Sequence, residues 1–78
     1  MSERVSFQIV YTPDEGGYNA LEPVTGTTSW GETIDEARAM ITEALELYFA
    51  EIADDVEARR YIEAAARAVT GSVSLQVA

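Results

Sequence analysis

Apolar and polar residues alternate near the start of the chain, where Val5, Phe7, Ile9 and Tyr11 are separated by Ser6, Gln8 and Val10. A period of two in β-branched and aromatic residues predicts a half-buried strand with one face on a core. Thr12-Pro13-Asp14-Glu15-Gly16-Gly17 reads as a hairpin turn. Pro13 cannot donate to a ladder there, and the two glycines adopt positive φ without steric cost. Residues 18–22 return as a second short strand, and Pro23-Val24-Thr25-Gly26 connects it to a third over residues 27–30, where β-propensity is high. Three antiparallel strands in a meander are expected.

The period then changes. Ile34, Ala37, Ile41, Ala44, Leu45, Tyr48 and Ile52 recur at spacings of three and four, the stripe of an amphipathic helix. Thr33 followed three residues later by Glu36 is a capping-box pattern, so the helix begins at Ile34. Asp35 and Glu36 fill its first turn, where the backbone dipole favours each carboxylate by about 0.3 to 1 kcal/mol. Met40 and Leu47 widen the stripe on one side and Phe49 on the other, beyond what one sheet face covers. The second helix of this chain or another copy is expected to pack there.

Asp54-Asp55 interrupts the stripe, since continuing the wheel would bury Asp55 and Arg59. A break is predicted, with Asp54 and Glu57 capping a second helix that carries Ala58, Tyr61, Ile62, Ala65, Ala66 and Val69 and ends at Gly71. One uninterrupted helix over 34–69 is the alternative. Val73, Leu75 and Val77 then alternate with Ser72, Ser74 and Gln76, which predicts a fourth strand. So apolar a strand must join the sheet or another subunit, because an uncovered edge invites aggregation. The expected fold class is α+β in the order β-β-β-α-α-β, as one domain over 1–78.

Composition sharpens this picture. Seventy-eight residues make one small domain, which buries only about 60% of its unfolded surface. Natural domains of this size lean on disulfides, metals or assembly. Cysteine and histidine are both absent, which removes disulfides, thiolate sites and the commonest neutral metal ligand. Self-association is the device that remains, and no cofactor is expected. The formal charge is −9, from 14 carboxylates against five arginines. That field repels phosphate backbones, so direct nucleic-acid binding is not expected, and it attracts a basic partner. Acidity that merely keeps a small protein soluble is the plainer account of it. No run approaches the 18 apolar residues of a membrane span, and residues 1–4 are too short and polar for a signal peptide, so a cytoplasmic protein is expected.

The segment Asp14-Glu15-Gly16-Gly17-Tyr18-Asn19-Ala20-Leu21-Glu22-Pro23, with Gly26, Ser29-Trp30-Gly31-Glu32-Thr33, Asp35-Glu36-Ala37 and Ile41-Thr42-Glu43-Ala44-Leu45-Glu46-Leu47-Tyr48, resembles the HicB antitoxin family. The likeness covers about residues 5 to 50 and lies in the order and spacing of many small features. It implies a partial RNase H-like fold. It also implies a partner, the small basic HicA toxin, an mRNA-cleaving ribonuclease that the antitoxin occludes. Complementary charge would speed that encounter and select against wrong partners. Antitoxins of the family usually carry a DNA-binding domain after the last strand, and only Ala78 follows Val77, so operator binding is not expected of this polypeptide. A second reading keeps the fold and drops the toxin: an orphan homo-oligomeric structural or regulatory module.

Catalytic chemistry finds little support. RNase H chemistry needs several carboxylates converging on paired metal ions, and the first predicted strand offers Ser6, Gln8 and Val10 off its core face. Ser-His-Asp and Cys-His arrangements cannot be built without His. Asp14-Glu15-Gly16-Gly17 lacks the alternating oxygen ligands of a calcium loop. A non-enzymatic protein is therefore expected. Trp30, Met40, Leu47, Phe49 and Tyr61 are the candidate partner or self-interface residues. Trp30 serves either as core sealing the helix start or as a surface anchor, and Tyr18 and Tyr48 are expected at the core or its edge.

Overall fold

A computed structural model describes residues 5–68 and 71–77. Its elements are β1 (Val10–Asp14), β2 (Gly17–Glu22), β3 (Thr27–Gly31), α1 (Ile34–Glu51) and α2 (Val56–Ala66). The strands form one antiparallel sheet in the order β1-β2-β3, with Val10 opposite Leu21 and Tyr18 opposite Gly31. The fold is α+β. The β1–β2 hairpin turns on Glu15 and Gly16, both at positive φ, as a two-residue turn matched to strand twist requires. Pro13 falls inside β1, opposite Tyr18, and is tolerated because β1 is an edge strand.

The first strand starts later than its alternation predicts. Residues 5–9 keep the alternating burial but lie outside the ladder, which begins at Val10. Register explains the shift: Val10 faces Leu21, and β2 ends one residue later at Glu22, where the chain turns away. Ile9 falls opposite Glu22, the last residue of β2, and among the described residues β2 does not extend past it.

The helix layer is close to the sheet because small residues meet there. Ala20, Ala37 and Ile41 are the buried cluster, with Ile9, Tyr11, Tyr18 and Leu45 packed around it. A Cβ at Gly31 would collide with the backbone nitrogen of Ala37, so α1 comes near enough to β3 that only glycine fits. The Thr33 hydroxyl accepts from the Glu36 amide at 3.1 Å, which starts α1 at Ile34 as predicted.

Two helices, not one, follow the sheet. α1 ends with Ile52 as C-cap, and the α2 cap is Asp55 rather than Asp54, its carboxylate accepting from the Ala58 amide at 3.0 Å. Asp55 immediately precedes the first helical residue, Val56, so its side chain reaches the third helical amide. Ile62 is buried, whereas Tyr61 is exposed on the other side of α2, and Ile34 at the start of α1 is also open to solvent. Val69 lies outside the described residues. The fourth strand is corrected: residues 71–77 hold no strand, and Val73, Leu75 and Val77 are exposed. A strand needs a partner backbone, and among the described residues of the single chain this segment has none.

The accessible surface is 6318 Å², against roughly 4,700 Å² for a compact chain of this mass. The exposed segment 71–77 contributes to the surplus, together with the open flanks of α1. The Gly31→Ala variant is expected to lose about 1 to 3 kcal/mol by overpacking, read as a lower urea midpoint with an unchanged slope, whereas Gly26→Ala, where a Cβ meets open space, is expected to lose less despite its positive φ.

Candidate functional site

One flank of α1 carries Glu36, Met40, Glu43, Leu47 and Glu51 at helical spacing, all exposed. These positions form a continuous strip in which carboxylates and apolar side chains alternate. Neither the sheet nor α2 covers it, and Leu47 is 63% exposed. α1 has five carboxylates and one arginine, Arg38, which approaches Asp35 at 3.9 Å. The pair is solvated, so it does little to neutralise the strip.

On the opposite flank, an open groove of about 290 Å³ runs between Phe7 and Ile9 on one side and Ile41, Leu45 and Phe49 on the other. Arg38 and Glu46 stand at its rim. Phe49 is half-buried and stacks obliquely on Phe7, with ring centroids 5.4 Å apart, and edge-on to Tyr48. It is therefore a wall of this groove more than a free anchor. Tyr18 and Tyr48 are half-buried, at the core edge as expected.

Trp30 points from the sheet face that α1 does not cover, opposite Asn19. Its indole Nε1 donates to the Asp14 carbonyl at 3.1 Å, and a Cβ at Gly17 would strike the ring. The side chain fastens the end of the β1–β2 hairpin. Of the two roles expected for it, core and anchor, it takes neither fully, for it remains 42% exposed. Met40 and Leu47 share one strip, while Trp30 lies on the outer sheet face, Phe49 on the groove and Tyr61 on α2. The five sequence-derived residues therefore do not form one surface.

Glu22 was not singled out by the sequence, yet it is fully buried. Its carboxylate accepts from the Val24 amide at 2.8 Å, the Thr25 amide at 2.7 Å and the Thr25 hydroxyl. The Gly26 amide closes the same loop onto the Glu22 carbonyl at 2.9 Å. The end of α2, at Ala65 and Ala66, and Ala68 just beyond it border this loop together with Gln8. A buried carboxylate with both oxygens engaged in loop closure is a structural group rather than an acid or base for chemistry. Its signature was an acid at a strand end followed by Pro23, Thr25 and Gly26.

Among the described residues, no three acidic side chains stand close enough together to hold a metal ion, and no helix is long and apolar enough to cross a membrane. Glu22→Gln turns an acceptor into a donor facing amides, and is expected to destabilise the fold by about 1 to 3 kcal/mol in urea denaturation. Glu43→Gln on the open strip is expected to change it by less than about 0.5 kcal/mol. Compared with protein-family models, curated proteins and solved structures, the chain matches none significantly.

Proposed function

We propose that this chain is a HicB-like, non-catalytic cytoplasmic protein that binds and neutralises a small basic HicA-like ribonuclease toxin. The observation that carries the reading is the exposed strip Glu36, Met40, Glu43, Leu47 and Glu51 on α1. Apolar side chains set between carboxylates suit a basic protein surface, since charge steers the encounter while Met40 and Leu47 supply desolvated contact. The order of three antiparallel strands and a capped helix is also the order expected of a partial RNase H-like domain.

The second reading, an orphan homo-oligomeric module of the same fold, is favoured by the excess surface of the single chain. Binding to a basic partner and binding to itself make opposite demands on charge, which separates the two.

The test is expression of the small basic reading frame neighbouring the gene, alone and with this chain. Growth arrest relieved by co-expression is expected, together with a purified complex that weakens as salt is raised. Leu47→Lys and Glu43→Lys are each expected to weaken the complex at least tenfold, while the circular dichroism spectrum stays that of the parent. Absence of a toxic basic neighbour, or rescue indifferent to both substitutions, would overturn the toxin reading and leave the orphan module.

A further inference from the structure

Residues 71–77 form an uncharged segment, Gly71-Ser72-Val73-Ser74-Leu75-Gln76-Val77, in a chain with 24% charged residues. Val73, Leu75 and Val77 alternate along it, each at least 78% exposed. Alternation of this kind is the side-chain code of a strand buried on one face. Within its own chain the segment has no such face.

The matching half of a sheet is also present and open. Among the described residues β1 pairs only with β2, so its outer edge faces away from the sheet. From Val5 to Thr12 this region carries no charge, although edges are commonly defended by charged side chains. Beside it lies the groove walled by Phe7, Ile9, Ile41, Leu45 and Phe49. Val5-Ser6-Phe7-Gln8-Ile9 and Val73-Ser74-Leu75-Gln76-Val77 also share one pattern position for position. Both segments have the composition that pairs in sheets.

We propose that residues 72–77 of one copy dock as a strand on the outer edge of β1 in a second copy, setting Val73, Leu75 and Val77 into the groove against α1. The shared pattern and the lack of charge on both segments point to a second copy here. Two chains at −9 each repel through their acidic helices, and the uncharged tail and uncharged edge are surfaces through which they can meet. A reciprocal exchange uses both edges and both tails, so the assembly closes at two copies instead of extending as a fibre. The strand gains main-chain hydrogen bonds along the edge, and its alternate side chains give the fit. This inference is independent of the toxin reading, which uses the other flank of α1.

The experiment uses the full chain. Sedimentation equilibrium is expected to give a dimer whose association holds or strengthens with added salt, opposite in sign to a basic partner. In a mixture of carbon-13-labelled and unlabelled protein, isotope-filtered NOE spectra are expected to join the methyls of Val73, Leu75 and Val77 in one copy to the Phe7 and Phe49 rings of the other. Leu75→Asp is expected to raise the dimer dissociation constant about tenfold to a hundredfold, leaving the amide spectrum of the sheet and helices in place. A monomer at every concentration, tail contacts confined to the same chain, or a Leu75→Asp dimer as tight as the parent would each overturn the proposal.

Discussion

The close approach of α1 to the sheet sets what the rest of the molecule can be. Ala20, Gly31 and Ala37 meet where larger side chains would hold the layers apart, and at Gly31 even a methyl group has no room. Close contact of small residues packs well but removes little apolar area from water, since hydrophobic stabilisation scales with area. Ile41 is the largest apolar side chain to be fully buried. The apolar stripe of α1 is wider than this contact, so Met40 and Leu47 stay open on one flank, and Phe49 on the other is half-buried against Phe7 and Tyr48. A core so thin in a chain this small points to stability drawn from outside the single chain.

Charge divides the uncovered surface into two kinds. The α1 strip alternates carboxylates with Met40 and Leu47, and a like-charged copy is repelled from it. The stretch from Val5 to Thr12 and residues 71–77 are uncharged, so they tolerate a second acidic chain. One molecule thus presents one face suited to a basic protein and another suited to itself. Neither demands a catalytic group, and the one fully buried carboxylate, Glu22, is committed to closing the β2–β3 loop.

Much of the layout was legible because local signals agreed. The Thr33 cap, the three- and four-residue spacing after it, the turn signal over residues 12–17 and the Asp54-Asp55 break each act within a few residues, and each predicted an element that the structure holds, although the turn sits on Glu15 and Gly16 and not on the two glycines. Features that failed to show in the sequence depend on distant partners. Residues 5–9 and 72–77 have the alternation of strands, but a strand exists only where another backbone lies alongside, and β2 stops at Glu22. Asp55 in place of Asp54 as the cap was a one-residue ambiguity between two equal side chains. Trp30 was left between core and surface because its face is set by register with Asn19, which periodicity over four residues does not fix. The loop role of Glu22 had a local signal, Pro23, Thr25 and Gly26 after an acid at a strand end, but its full burial is not fixed by residues so near in sequence.

The proposed association would couple stability to concentration, because whatever binds the folded form alone raises the apparent melting temperature by mass action. The most direct measurement is thermal unfolding, followed by circular dichroism in cells of different path length, with the chain diluted stepwise from the millimolar to the low micromolar range. A midpoint that falls by several degrees on dilution is the predicted result. A single midpoint at every dilution, from a chain that sediments as a monomer throughout, would contradict it.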